Sequence, residues 1–214
     1  MYFEIFIFVI EMIGTTAFAV SGALTAIQKK LDTLGIIVLG CTTAIGGGVL
    51  RDVLLGNLPP NSFIHSSYIM VASAVSLALF FAAYRRSSLF KQNIAKFMSA
   101  INLFDAIGLG VFAVNGTSVA IQCGFAENGF LAVFVGVLTA VGGGIIRDLM
   151  VCEIPLILRK RIYALAALCG AGVYYYMQVY HLSPPLAMLT GIAVTILIRL
   201  LATHYNWALP KIND

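Results

Sequence analysis

Seven apolar segments, each close to the length that an α-helix needs to cross a bilayer, take up most of this sequence. A span requires about 20 apolar residues, because a helix rises 1.5 Å per residue. Short connections that carry proline, glycine or several charges separate the segments. We therefore predict seven transmembrane helices, at approximately Phe3–Ile27, Leu34–Leu58, Tyr68–Tyr84, Phe97–Gln122, Gly129–Val151, Ile162–Val179 and Leu186–Ala202.

The composition supports an all-α polytopic membrane protein. Only 10% of the 214 residues are charged and 60% are hydrophobic, whereas about 25% of a soluble domain is charged. The first segment lacks a basic leader and has the length of a full span, so we do not expect a cleaved signal peptide. The sequence shows no catalytic motif or metal-ligand spacing, and the three histidines are not paired. We expect no enzyme activity, metal or cofactor.

The basic residues predict the orientation of the chain. Connections that carry lysine and arginine remain in the cytoplasm, and all such residues fall on one side if there are seven spans. The N-terminus is then outside and the C-terminus cytoplasmic, and the net charge of +4 does not indicate nucleic-acid binding. The residues concerned are Lys29, Lys30, Arg85, Arg86, Lys91, Lys96, Arg159, Lys160, Arg161, Arg199 and Lys211.

The first half of the sequence repeats in the second half. The 18 residues from Glu11 match those from Asp105 at nine positions, and Gly40–Pro59 matches Gly136–Pro155 at nine positions. Spans 1–3 therefore correspond to spans 4–6, with span 7 extra, and residues 1–95, 96–183 and 184–214 form the three parts. Because each unit has an odd number of spans, the second copy is predicted to be inverted, an arrangement that transport proteins use.

Each repeat has a glycine triplet near the middle of its second span. The triplets are Gly46, Gly47, Gly48 and Gly142, Gly143, Gly144. Glycine weakens a helix by about 1 kcal/mol per residue, so the triplets favour a bend or an unwound turn whose carbonyl groups line a path. Glycines also let two helices pack closely, and the sequence does not decide between these two interpretations.

Charged residues follow the triplets at membrane depth. They are Arg51, Asp52, Arg147 and Asp148, with Glu11 and Asp105 at similar depth in spans 1 and 4. Ionisable groups inside a membrane are costly unless they are paired or hydrated, and they usually face the bundle interior or a cavity.

We predict that Glu11 pairs with Arg51 and Asp105 with Arg147. Asp52 and Asp148 are predicted to point away from the neighbouring arginines. Buried salt bridges with a purely architectural role are the alternative. Ser21 and Asn115 are candidate polar lining of the path, although such residues more often form contacts between helices.

The doubled "GGGxxRD" motif, with "FAVSG" and "FAVNG" in spans 1 and 4, resembles the bacterial TRIC-type family, relatives of the trimeric intracellular cation channels. The same repeat is also known as a glycine-transporter domain. The resemblance implies a homotrimer in the bacterial inner membrane, surrounded by lipid, with one potassium- and sodium-permeable pore through each protomer. The pore would be bent at the triplets and lined or braced by the arginine–aspartate pairs.

The animal channels carry a lysine-containing motif where this sequence has Arg51 and Asp52, and they bind phosphoinositide there. Because that motif is missing, no phosphoinositide cofactor is expected. A secondary transporter of glycine or another small zwitterion remains the alternative function, with an arginine holding the carboxylate and an aspartate the ammonium group.

Overall fold

The computed structural model describes residues 2–85, 94–159, 162–205 and 207. Within these ranges the chain forms nine α-helices and one π-helical turn, Ile121–Phe125. The helices are α1 Tyr2–Gln28, α2 Thr33–Leu55, α3 Asn61–Ile64, α4 Ser67–Arg85, α5 Ile94–Ala120, α6 Gly129–Met150, α7 Leu156–Arg159, α8 Tyr163–Val179 and α9 Pro184–His204. The order of long, long, short and long helix occurs twice, and α9 follows.

The protein is an all-helical polytopic membrane protein. Six of the helices in the described ranges, α1, α2, α4, α5, α6 and α9, are long and apolar enough to cross a membrane. The helix at the sixth predicted span, α8, has 17 residues and is not among them. The predicted helix positions agree with the structure to within a few residues, whereas the short helices α3 and α7 were not predicted.

Local signals in the sequence explain where several helices begin and end. Asp32 accepts a hydrogen bond from the backbone N–H of Gly35 at 2.7 Å and caps α2, and Asn128 does the same for Leu131 at the start of α6, at 3.0 Å. Short polar side chains at this position satisfy N–H groups that have no partner within the helix. At the other end of α2, Gly56 adopts a left-handed conformation with φ of 71°, which glycine tolerates and which ends a helix.

The centre of the molecule is built from the first two long helices of each half. Helix α1 packs on α2 and α5, and α6 packs on α5 and α2. Helix α4 covers α1 and α2, whereas α8 covers α6 and α5, and α9 packs on α8 and α5. Large apolar side chains, including Leu34, Met70, Phe130 and Leu186, are exposed on the outside, as expected for a surface in contact with lipid.

The two glycine triplets lie where α2 and α6 cross. A Cβ atom on Gly47 would stand 2.0 Å from the carbonyl oxygen of Thr139, and one on Gly143 would stand 2.1 Å from that of Thr43. Both triplets lie within uninterrupted helix, so of the two interpretations left open by the sequence the structure supports close packing, with no unwound turn at either triplet. The absence of side chains lets the two backbones touch, and the helical hydrogen bonds remain intact.

Several of the basic residues that were used to predict the orientation lie outside the described parts of the chain. Arg86, Lys91, Lys160, Arg161 and Lys211 lie outside the described residues, as do the side chains of Lys96 and Arg159.

Candidate functional site

Beside the glycine crossing, one group of polar side chains surrounds Arg51. Arg51 Nη1 donates to Asn115 Oδ1 at 2.6 Å, and Arg51 Nε donates to Asp52 Oδ1 at 2.8 Å. Asn115 Nδ2 in turn donates to Glu11 Oε1 at 2.7 Å, and the Tyr68 hydroxyl donates to Glu11 Oε2. We call these five residues the Arg51 cluster. It is drawn from α1, α2, α4 and α5.

A second group surrounds Arg147. Arg147 Nη1 donates to Asp105 Oδ1 and to Ser21 Oγ, both at 2.7 Å, and Arg147 Nε donates to Asp148 Oδ1 at 2.8 Å. We call these four residues the Arg147 cluster. Arg147 is 1% exposed and Asp105 is fully buried, so this ion pair is sealed from solvent. The predicted pair of Asp105 with Arg147 is present.

The predicted direct pair of Glu11 with Arg51 is not what the structure shows. Asn115 stands between them, accepting from the guanidinium with its oxygen and donating to the carboxylate with its nitrogen. An amide can serve both neighbours because it carries an acceptor and a donor group. Glu11 therefore reaches Arg51 through one intervening side chain.

The prediction that Asp52 and Asp148 point away from the neighbouring arginines is wrong. Each accepts from the Nε atom of the arginine before it, at 2.8 Å. The Cβ atoms of adjacent helical residues do point in different directions, but the arginine side chain is long enough to bend back. A sequence argument based on Cβ directions alone misses this contact.

The same two aspartates also hold the short helices that follow. Asp52 Oδ2 accepts from the backbone N–H of Asn61, the first residue of α3, at 2.8 Å. Asp148 Oδ2 accepts from the N–H of Leu156, the first residue of α7, also at 2.8 Å. The first N–H groups of a helix have no intrahelical partner, so each carboxylate joins its arginine to the start of the next short helix.

Ser21 and Asn115 occupy equivalent positions in the two clusters. Both are buried, at 0% and 1% exposure, and each accepts a hydrogen bond from the arginine of the opposite half of the chain. The two arginines thus join the halves. The last glycine of the first triplet lies beside its arginine: a Cβ on Gly48 would stand 3.9 Å from Arg51 Nη2, an ordinary contact distance, so this glycine is not required for space.

Two tyrosines at these clusters were not singled out from the sequence. Tyr68 is near the start of α4 and donates to Glu11, while Tyr163 begins α8 and a Cβ on Gly144 would stand 3.2 Å from its hydroxyl oxygen. Extending the repeat into the third helix of each half, with the offset reduced by one residue to 95, would have aligned these tyrosines with each other. That alignment is the signal that sequence reasoning left unused.

The arrangement places compensated charges inside a membrane protein. A buried arginine or carboxylate is tolerated in a membrane when it is paired and hydrogen-bonded, and both clusters meet that condition. The Arg147 guanidinium is already bonded to two carboxylates and a hydroxyl, so a carboxylate ligand would have to displace one of them.

Comparison with known proteins identifies the family. The family model described as "Glycine transporter" matches the chain twice, at residues 8–84 and 102–179. The UPF0126 inner membrane protein YadS of Escherichia coli (strain K12) is 39% identical over 204 residues, which cover 94% of this chain and 93% of that protein. A UPF0126 membrane protein of Deinococcus radiodurans is 37% identical over 203 residues, covering 94% and 89%.

Solved structures agree with the sequence comparison. A chain from a study of conductance through TRIC cation channels is 38% identical, with a TM-score of 0.82, covering 96% of this chain and 97% of that one. The TRIC trimeric intracellular cation channel orthologue of Rhodobacter sphaeroides is 33% identical, with a TM-score of 0.83, covering 94% and 98%. The chain therefore belongs to the TRIC family, whose repeat is the one described as the glycine-transporter model.

Proposed function

We propose that this protein is a potassium-permeable, monovalent cation channel with one pore through each protomer of a homotrimer. The observation that carries the proposal is the occurrence of two buried clusters of hydrogen-bonded charged groups, one around Arg51 and one around Arg147, at the four central helices. The structural neighbours are described as cation channels and one of them as trimeric, which supports the same function here.

The pore we propose runs beside the crossing of α2 and α6 and past both clusters. It is lined or braced by Arg51, Asp52, Arg147 and Asp148, with Glu11 and Asp105 as charge partners and Ser21 and Asn115 as polar lining. The glycine triplets narrow it, because their helices touch at Gly47 and Gly143. Residues 1–95 and 96–183 form inverted repeats in this proposal, with the N-terminus outside, the C-terminus cytoplasmic, and residues 184–214 added.

A glycine or zwitterion carrier is the alternative, and the family description favours it. Such a carrier needs a cationic group that is free to bind the substrate carboxylate. The hydrogen bonds of Arg147 to Asp105, Asp148 and Ser21 oppose this, whereas a channel has no need of a tight site.

Reconstitution separates the two functions. Purified protein in planar bilayers with a KCl gradient should give discrete unitary currents that reverse near the potassium equilibrium potential and do not depend on glycine. Saturable uptake of labelled glycine into liposomes without unitary currents would establish the carrier instead. Protein-free membranes are the control for leak, and native mass spectrometry measures the trimer.

A single substitution tests whether the Arg51 cluster affects the potassium current. Glu11→Gln removes the carboxylate charge that Asn115 and Tyr68 contact, and we expect it to lower the potassium current. Glu4→Gln is the matched control, because Glu4 is an exposed carboxylate on the same helix. Equal currents and equal thermal stability in both variants and the wild type would exclude a role for this cluster in the path.

A further inference from the structure

Arg199 is a buried arginine that makes no ion pair in the described part of the chain. It lies in α9 and is 2% exposed, and its Nε and Nη2 atoms have no hydrogen-bond partner among the residues that the structure describes. Its guanidinium carbon stands 4.7 Å from the ring centroid of Tyr163, a cation–π contact. An arginine buried without a carboxylate is costly, and the sequence had placed it only among the cytoplasmic charges.

The surroundings of Tyr163 differ from those of Tyr68, the corresponding tyrosine in the first half. Tyr68 donates to Glu11. Tyr163 is a neighbour of Asp105, but among the described residues its hydroxyl and Asp105 Oδ2 are buried without a hydrogen bond of good geometry. Asp105 takes the place of Glu11 in the second half, and its side chain is one methylene shorter. The tyrosine and the carboxylate are therefore less tightly joined in the second half than in the first, and Arg199, which follows both repeats, lies on the tyrosine ring.

A count of formal charges shows what Arg199 adds. The Arg51 cluster contains two carboxylates and one guanidinium, so its net charge is −1. The Arg147 cluster also contains two carboxylates, those of Asp105 and Asp148, and one guanidinium, again giving −1. Arg199, packed on Tyr163 beside it, brings the formal charge of this cluster and Arg199 taken together to zero. No residue of the first repeat corresponds to Arg199, because α9 lies outside the repeat.

We propose that Arg199 makes conduction depend on direction, so that cations enter the pore less readily past the Arg147 cluster than past the Arg51 cluster. The inference rests on the proposed channel function. Without Arg199, the two clusters, which carry equal formal charge, would attract cations equally. The buried charge from the added helix removes that equality, because a positive charge lowers the local concentration of cations.

The expected size follows from Coulomb's law. For an assumed separation of about 6 Å between the guanidinium and the path, and the dielectric constant of water, a unit charge changes the local cation concentration by roughly threefold. Charged loops at the surface would also bias the current, but salt screens them. At about 1 M KCl the Debye length is about 3 Å, and buried charges are screened much less than exposed ones. The measurement is therefore made in concentrated salt.

The experiment records single-channel currents in symmetric solutions of about 1 M KCl, at equal and opposite voltages. The wild-type protein should carry roughly two to three times more current in one direction than in the other. Arg199→Gln should make the two currents equal by raising the smaller one. Arg199→Lys, which keeps the charge, should retain the ratio.

Glu11→Gln tests the same charge balance from the other end. It removes one negative charge from the Arg51 cluster and should equalise the currents by lowering the larger one, so the inference remains testable if Arg199→Gln fails to fold. Equal wild-type currents in both directions would overturn the inference, and so would an Arg199→Gln or Glu11→Gln channel with the wild-type ratio. Absence of any unitary current from folded wild-type protein contradicts the proposed channel itself, which is a different result.

Discussion

Arg147 donates a hydrogen bond of 2.7 Å to Ser21, a residue 126 positions earlier in the chain and in the other repeat. Arg51 makes the reciprocal contact with Asn115. Each half thus provides an arginine that donates and a neutral side chain that accepts from the arginine of the other half. These hydrogen bonds hold the halves together and also satisfy the buried arginines. Stability and the proposed path depend on the same atoms.

The two accepting residues should contribute unequally to stability. Asn115→Ala removes two hydrogen bonds, one to Arg51 and one to Glu11, whereas Ser21→Ala removes one and leaves Arg147 bonded to Asp105. A hydrogen bond to a charged group contributes about 1.5–3 kcal/mol, so we expect Asn115→Ala to lower the free energy of unfolding about twice as much. Chemical denaturation in detergent measures both.

Thr190→Ala is the control for this comparison. Thr190 is partly exposed on α9, and its hydroxyl donates to the carbonyl of Leu186 in its own helix, so the substitution should have little effect. Equal losses in the Ser21 and Asn115 variants would show that the bridge from Asn115 to Glu11 contributes nothing.

The aspartates that follow the arginines should be sensitive even to an isosteric change. Asp148→Asn replaces one acceptor oxygen with a donor NH₂ group, so either Arg147 Nε or the N–H of Leu156 loses its acceptor. Breaking a buried ion pair costs about 3–5 kcal/mol, and we expect a loss of this order in thermal or chemical denaturation, with the same result for Asp52→Asn.

Asp32→Asn provides the matched control for the charge. Asp32 accepts a backbone N–H at the start of α2 and is exposed, and asparagine is an equally good residue at this position. If Asp148→Asn is as stable as Asp32→Asn, the carboxylate does not hold the short helix.

The sequence predicts the helices well because a span is a local property. Apolar length, breakers and the repeat indicate where each long helix lies, and the depth of Asp105 and Arg147 in their spans was enough to predict their pair. Depth was not enough to predict the partner of Glu11. Asn115, which stands between Glu11 and Arg51, comes from another helix, and whether its side chain reaches Glu11 depends on how α1 and α5 cross. The sequence left the choice between unwound turns and close packing at the glycines undecided for a related reason. Helix propensity favours unwound turns, but the packing of α2 against α6 outweighs propensity.

The glycines at the crossing should not tolerate a methyl group. A Cβ on Gly143 would meet the backbone carbonyl of Thr43 at 2.1 Å, and backbone atoms cannot move aside as a flexible side chain does. Forcing extra atoms into a packed core costs about 1–3 kcal/mol. We expect Gly143→Ala and Gly47→Ala to lower the melting temperature and the yield of folded protein.

Gly172→Ala tests whether this effect is specific to the crossing. Gly172 is also a helical glycine, in α8, but a Cβ there would have no atom within 4 Å, and alanine is the better helix former by about 1 kcal/mol. The Gly172 variant should be as stable as the wild type or more so. A stable Gly143→Ala protein would mean that the two helices do not touch as described.

The last prediction concerns the stretch between the two clusters. Along α1, Phe18 lies between Glu11 of the Arg51 cluster and Ser21 of the Arg147 cluster, and its ring stacks on Phe112 with centroids 5.3 Å apart. It is 1% exposed, and a Cβ on Gly143 at the helix crossing would stand 3.7 Å from it. We expect this aromatic pair to obstruct the proposed pore.

Phe18→Leu should therefore increase the potassium current, because leucine keeps the site apolar but removes the stacked ring. Leucine is preferred to alanine, since Phe→Ala in a core costs about 3–5 kcal/mol. A destabilised alanine variant would not allow the effect on the pore to be separated from unfolding of the protein. Potassium flux from liposomes and the melting temperature are measured together, with Phe130→Leu, an exposed phenylalanine on α6, as the control. Phe112→Leu should act in the same direction, because the obstruction needs both rings. A current that stays at the wild-type level in both variants, with the fold intact, would place the constriction elsewhere.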